Sequence, residues 1–179
     1  AERNDFGIEI AISDERSLLL NTGGGLKQAS WFFDEGAPFL VQNVDVLSTL
    51  DLRALYAAHR RSRALATLAV RRRDTSRYLL FDAQRQLVGW QNRKSGATRR
   101  SRPEPAADAF AFSGIQVISP SIFEYFPEEA VFSTIDLYLE AAKRGTVTGY
   151  PHDEDAWLDV GKWPALAEAE ALLPRLKLD

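Results

Sequence analysis

Phe39, Leu40 and Val41 form a short apolar run that breaks at once into the polar residues Gln42, Asn43 and Asp45. An apolar run without alternation suits a strand buried on both faces of a parallel sheet. In an open α/β sheet, ligands collect just beyond the carboxyl ends of the strands. Asp45 therefore stands where a carboxylate serves either as a metal ligand or as a turn former. Residues 6–12 alternate, with Phe6, Ile8, Ile10 and Ile12 apolar, and predict a strand. Residues 64–70 read as a further buried strand, and residues 78–81 and 86–90 as short strands around a turn at 82–85. Residues 110–118 form a strand with Gly114 inside it, a mark of close approach by a ligand or another backbone. Residues 146–150 are another strand, and residues 157–161 are a second apolar stretch with a single carboxylate, Asp159.

Helical spacing occupies the gaps. Leu52, Leu55, Tyr56 and His59 share one face of a helix that Asp51 can cap, and His59 there reads as a packed residue. Ser133 caps a helix carrying Ile135, Leu139 and Ala142, Pro120 starts a short turn, and Pro164 suits the first turn of a helix carrying Leu166, Ala169 and Leu173. Gly23, Gly24 and Gly25 are costly inside a helix, so they mark the start of one continuing over residues 26–33. Residues 93–107 are polar, basic and proline-containing, and predict a mobile loop able to reach over the site. The alternation of strands and helices predicts an α/β fold with right-handed crossovers.

Composition narrows the class. The 179 residues are 45% hydrophobic and 26% charged, enough for one domain with a real core. A net charge of −3 gives no footprint for nucleic acid, and no apolar run reaches membrane-spanning length, so a cytoplasmic chain is expected. The absence of cysteine removes disulfides and thiolate metal sites. With no methionine and Ala1 first, the sequence reads as a piece of a longer chain.

The candidate chemistry is a pair of lone aspartates, Asp45 and Asp159, each leaving an apolar strand. No Ser-His-Asp, Cys-His or zinc-spaced set stands out beside them. Two carboxylates plus substrate phosphates make a normal magnesium site, because that ion takes few protein oxygens. Arg71, Arg72 and Arg73, after a buried strand, are either a solvated edge or a phosphate contact.

Four segments in order carry a resemblance: residues 19–26 (Leu-Leu-Asn-Thr-Gly-Gly-Gly-Leu), 39–51, 112–115 (Phe-Ser-Gly-Ile) and 157–161 (Trp-Leu-Asp-Val-Gly). Together they resemble the sugar-phosphate nucleotidyltransferases, or NDP-sugar pyrophosphorylases. The likeness is to the branch of mannose-1-phosphate guanylyltransferase-like and N-acetylmuramate-1-phosphate uridylyltransferase-like enzymes. It implies a Rossmann-like three-layer α/β/α sandwich with a mostly parallel mixed sheet. It also implies transfer of a nucleoside monophosphate from an NTP to a sugar 1-phosphate, with release of pyrophosphate, in cell-envelope sugar metabolism. Asp45 and Asp159 match the Mg²⁺-binding aspartates, and Thr22, Gly23 and Gly24 match the segment that meets the base. Gly114 matches the glycine beside the sugar, and Asn43 is expected to position the sugar phosphate or the metal. Asn21 and Val44 depart from the acidic residue and the glycine often found at their positions. The family's Gly-x-Gly-Thr-Arg loop and Pro-Lys-Pro segment do not occur in the sequence. Residues 1–179 then read as one nucleotidyltransferase domain lacking its first two β–α units, roughly sixty residues at about 30 each. An exposed apolar edge beside the strand ending at Asp45 is expected, where another chain can associate. Two alternatives stay open: a cytidylyltransferase for a non-sugar phosphate such as phosphocholine, and a non-catalytic domain that binds a nucleotide sugar.

Overall fold

The structure, a computed structural model, describes residues 7–33, 36–161 and 165–176. Along the chain come α1 (Asn21–Gln28), β1 (Phe39–Gln42), β2 (Val46–Ser48), α2 (Leu52–Ser62), β3 (Ala66–Arg71), β4 (Arg77–Phe81) and β5 (Leu87–Asn92). There follow β6 (Thr98–Arg100), β7 (Asp108–Ile118), α3 (Thr134–Ala141), β8 (Val147–Pro151), β9 (Trp157–Asp159) and α4 (Ala165–Leu172).

The long strand β7 organises the main sheet, whose order is β6-β5-β4-β7-β3-β8. β3 lies along one edge of β7 from Ala111 to Ile118. The other edge is shared, β4 taking residues 108–110 and β1 taking residues 115–118. β2 and β9 form a separate antiparallel ribbon.

The α/β architecture is as expected, but the sheet is mostly antiparallel rather than mostly parallel. Among the described residues only β3 and β8 pair in parallel. The reason is β7, which inserts between β1 and β3 and opposes both. β1, β3 and β8 still run in one direction, so their carboxyl ends reach the same end of the sheet. The rule that places ligands at those ends therefore survives the correction.

Alternation along the strands builds three layers. Leu68 and Val70 of β3 and Phe110 and Ile118 of β7 face a core with Leu26 of α1 and Leu137, Tyr138 and Ala141 of α3. Ala69, Ile115 and Val117 face the opposite way, onto Leu55 of α2, Val46 and Leu50. The α2 cap is as the sequence predicts: the Asp51 carboxylate accepts from Ala54 N at 2.9 Å. Ser133 caps α3 in a reciprocal box with Asp136.

Four expectations need correction. Residues 8–12 form no strand, and Ile8, Ile10 and Ile12 are exposed; their alternation describes a face that meets no partner among the described residues. β1 alternates between half-buried and exposed, because only its β7 edge is paired among the described residues. The three glycines lie inside α1 rather than ahead of it. Residues 93–107 are not a free loop: β6 pairs with β5, and three side chains tie the segment down. Arg99 meets Asp136 at 2.5 Å, the Ser101 hydroxyl donates to Leu139 O at 2.7 Å, and Arg102 donates to Gln86 Oε1 at 2.8 Å and Gly145 O at 2.6 Å. The segment covers α3 and β5, and its polarity reflects these partners.

Candidate functional site

The ribbon of β2 and β9 pairs Val46 with Asp159, Leu47 with Leu158 and Ser48 with Trp157. Past its end, Val160 N donates to Asp45 O at 2.8 Å and Gly161 N donates to Asp159 Oδ1 at 3.0 Å. Asp45 and Asp159 are thereby brought side by side from opposite ends of the chain. A Cβ placed on Gly161 would lie 2.9 Å from Asp45 Oδ2 and 3.1 Å from Asp159 Oδ1. The two oxygens are therefore at most about 6 Å apart, the sum of those distances, and both border the space that glycine leaves open. Hard oxygen donors around a small gap suit a divalent cation such as Mg²⁺, which would complete its shell with phosphate and water. No group of three or more His, Cys, Asp or Glu gathers among the described residues.

Beside the pair, β7 breaks register. Its pairing with β3 shifts between Leu68 and Val70, where β7 passes through Ser113 and Gly114. Gly114 has φ +74°, a left-handed conformation that glycine adopts without steric cost. The freed Gly114 carbonyl accepts from Asn43 N at 2.9 Å, and the Asn43 amide covers the glycine, with Nδ2 2.9 Å from where a Cβ would sit. Asn43 and Gly114 thus meet, as two of the predicted residues.

The other side of the bulge holds residues that the sequence did not single out. Ser113 O accepts from Trp157 Nε1 at 2.8 Å, and Ser113 Oγ lies 2.7 Å from His152 Nε2. Asp155 Oδ2 is 3.6 Å from His152 Nδ1. This Ser-His-Asp string was invisible in sequence because its members come from different elements. Ser113 and His152 are both buried, so the string locks the bulge and cannot present a nucleophile to solvent. Burial, and then the Arg71 charge, hold His152 below its ordinary pKa, against the opposing pull of Asp155 and Asp153.

The arginine run is sorted by its neighbours. Arg72 turns away onto the Phe110 ring, while Arg71 and Arg73 lie 5.9 and 4.5 Å from the Trp157 ring. Arg73 Nη2 donates to Phe112 O at 3.3 Å. Burial, with help from Arg71, lowers the Arg73 pKa, and the Asp159 carboxylate works against that lowering. Arg73 therefore shares the electrostatic surroundings of the aspartate pair.

Thr22, Gly23 and Gly24 are gathered elsewhere, against the start of α3. Gly23 N and Gly24 N both donate to Phe132 O, at 2.9 and 3.2 Å, and Thr22 Oγ1 accepts from Thr134 N at 3.1 Å. A Cβ on Gly23 would meet the Phe132 ring at 2.4 Å, and one on Gly24 would meet Ala130 O at 2.1 Å. These glycines let α1 approach the 130–134 segment, and their N–H groups are committed there. His59, on α2, is the packed residue expected, with its ring nitrogens 2.9 Å from Thr67 Oγ1 and 2.9 Å from Ser119 Oγ. A separate cleft of about 690 Å³ is lined by Gln42, residues 46–53, Arg175 and Leu176, a lining that includes neither aspartate.

Comparison with known proteins gives the family and the fold. The family described as Nucleotidyl transferase matches residues 1–175. An N-acetylmuramate alpha-1-phosphate uridylyltransferase from Neisseria meningitidis serogroup B is 28% identical over 168 residues, covering 93% of this chain and 68% of that protein. Among solved structures, the inositol-1-phosphate CTP transferase from T. maritima superposes with a TM-score of 0.73 at 16% identity, over 98% of this chain and 70% of that one. HddC from Yersinia pseudotuberculosis, complexed with GMP-PN, gives 0.63 at 18% identity, over 88% of this chain and 64% of that one. The chain spans roughly two thirds of the length of these relatives, and the two superpositions establish the fold.

Proposed function

This chain belongs to the nucleotidyl transferase family, and on that premise we propose that it serves transfer of a nucleoside monophosphate from an NTP to a sugar 1-phosphate. A phosphate oxygen of the sugar 1-phosphate attacks the α-phosphorus of the NTP in line. The new O–P bond forms as the bond to the β-phosphate oxygen breaks, and pyrophosphate leaves. No general base is required, because the attacking phosphate is already ionised, so the work of the protein is positioning and charge compensation.

The observation that carries the proposal is the convergence of Asp45 and Asp159 on the gap over Gly161. These residues would hold Mg²⁺. When bound, that ion would neutralise charge where the two phosphates meet. Asn43, fixed by its backbone bond to Gly114 O, offers its amide next to the bulge, where the sugar phosphate is proposed to lie. Sugar contact at Gly114 is proposed on the resemblance, since the Asn43 amide covers the glycine. Nucleotide contact at Thr22, Gly23 and Gly24 is proposed on the resemblance, since packing alone accounts for the glycines there. The edge of β1 that is unpaired among the described residues is the proposed place of association with further polypeptide. Among the described residues no helix is long and apolar enough to cross a membrane, and a cytoplasmic site of action is proposed.

The test is pyrophosphate release by the intact protein against a panel of NTPs and sugar 1-phosphates. Release that requires both substrates and a divalent cation is expected. Failure of every pair overturns the proposal.

A further inference from the structure

The carboxylate pair accounts for a cation, but the site also holds positive charge that no carboxylate contacts directly among the described residues, although Asp159 acts on it from a distance. Arg73 is half-buried, and its Nε is fully enclosed without a hydrogen-bond partner. Its Nη2 reaches a backbone carbonyl, Phe112 O, and its Cζ lies over the Trp157 indole, 4.5 Å from the ring centroid. Arg71 reaches only carbonyls as well, Asp155 O at 3.3 Å and Asp153 O at 3.5 Å. No carboxylate forms an ion pair with either guanidinium among the described residues. A partly desolvated arginine without a counter-ion is costly, and its planar fork matches the oxygens of a phosphate.

Position narrows which anion it awaits. Phe112, which Arg73 holds, is two residues before Gly114. Trp157, on which it lies, is two residues before Asp159 and is bonded to Ser113 O. Arg73 therefore bridges the bulge and the carboxylate pair. We propose that Arg73 contacts the phosphoryl group of the sugar 1-phosphate, with Arg71 adding charge from beside the same indole. The assignment rests on the nucleotidyl-transfer reading for the identity of the phosphate. The indole supports the guanidinium and the Phe112 carbonyl takes Nη2, which leaves Nη1 as the donor proposed to meet the phosphate. Arg73 then supplies charge-assisted hydrogen bonds in the ground state and keeps them through transfer. Its loss should raise KM for the sugar phosphate more than it lowers kcat.

The test compares the intact protein with Arg73→Gln, Arg73→Lys and Arg73→Ala. Arg73→Gln keeps a donor for Phe112 O and a flat group for the indole but removes the charge. Calorimetric titration with inorganic phosphate should show binding weakened about tenfold or more in Arg73→Gln and Arg73→Ala, the effect of one lost charge-assisted contact. Arg73→Lys should recover part of it. With the sugar phosphate that the protein turns over, KM should rise by a similar factor in Arg73→Gln. Phosphate binding by Arg73→Gln equal to that of the unsubstituted protein would overturn the inference and make Arg73 a stacking residue only. So would a failure of the unsubstituted protein to bind phosphate. If Arg73→Ala does not fold, Arg73→Gln decides, its near-ultraviolet circular dichroism reporting that the Trp157 environment is intact. Absence of turnover with every substrate pair strikes at the proposed activity instead, and leaves the phosphate titration to judge Arg73.

Discussion

Asp45 Oδ2 and Asp159 Oδ1 border one gap over Gly161, held there by a ribbon in which Val46 pairs with Asp159. The backbone bond from Val160 N to Asp45 O makes the juxtaposition independent of any ion. Asp45→Asn and Asp159→Asn keep the shape and remove the charge. Each should lower turnover by roughly 10²–10³, the cost of removing one preorganised electrostatic group. Circular dichroism and thermal melting should be close to unchanged. Activity within a few-fold of the unsubstituted protein would take the aspartates out of the chemistry.

Gly161 gives a separate handle on the same pair. A methyl group at 161 would crowd both carboxylates at 2.9 and 3.1 Å, forcing them to give by a few tenths of an ångström. Gly161→Ala should weaken Mn²⁺ binding, measured by electron paramagnetic resonance, by about 10–100-fold, as losing the groups that orient metal ligands does. Unchanged Mn²⁺ affinity would mean that the two oxygens do not share an ion.

The bulge makes a prediction about stability as well as function. Gly114→Ala places a side chain at φ +74° and drives it into the Asn43 amide at 2.9 Å. The left-handed conformation alone costs about 1–2 kcal/mol. Urea unfolding should show at least that loss, and KM for the sugar phosphate should rise as Asn43 is displaced. A substitution without effect on either would mean that the bulge does not position Asn43.

Much of this was legible in the chain, and the reasons for success and failure are physical. Asp51 and Ser133 announced their helices because capping is a local bond within a few residues. The strand at 66–71 announced itself because both its faces are covered, so it reads as a nearly continuous apolar run in which only Thr67 and the terminal Arg71 are polar. Asp45 and Asp159 were paired by their like positions after apolar strands and by the resemblance, since nothing local links them. Strand direction was beyond reach: β7 opposes β1 and β3 through contacts that no periodicity records. β6 was missed because Thr98, Arg99 and Arg100 are all exposed on a short edge strand, so they carry no apolar signal. His152 was hidden for a related reason, and the arginine run, though named as a possible phosphate contact, did not show which member meets the site. Their significance lies in which indole, carbonyl or hydroxyl they meet, and all those partners lie far along the chain.

The two histidines predict an acid-side loss of stability. Burial lowers the His59 pKa, and burial with the Arg71 charge lowers that of His152. In the unfolded chain both would titrate near the ordinary value of 6.5. Below that value the unfolded state binds more protons than the folded one, so stability increases with pH in this window. It should be complete above about pH 6.5 and fall as pH drops through the lower folded values. Urea unfolding across this range should show the slope, and His59→Gln should reduce it. An unchanged slope would mean that His59 binds protons equally in the folded and unfolded protein.

Substitution of the three glycines in α1 should have opposite signs at neighbouring positions. In an exposed helix interior, glycine to alanine gains about 1 kcal/mol. At Gly24 the new methyl would lie 2.1 Å from the Ala130 carbonyl oxygen, and at Gly23 it would lie 2.4 Å from the Phe132 ring and 2.7 Å from the Ser133 backbone. Backbone cannot swing aside, and overpacking of this kind costs about 1–3 kcal/mol, which outweighs the helix gain. Forced separation of α1 from residues 130–134 would also break the bonds from Gly23 N and Gly24 N to Phe132 O. At Gly25 the nearest atom is Glu15 Oε1 at 2.5 Å, the far end of a flexible side chain. Glu15 can move at the cost of its bond to Leu20 N, a 3.2 Å contact. Gly24→Ala should therefore destabilise the protein by at least about 1 kcal/mol, while Gly25→Ala should be neutral or stabilising by up to the helix gain. Thermal melts of the two variants, with the NTP titrated in, separate packing from ligand contact. If Gly24→Ala keeps its stability but loses NTP affinity, the glycines serve the nucleotide rather than the close approach of α1 to residues 130–134.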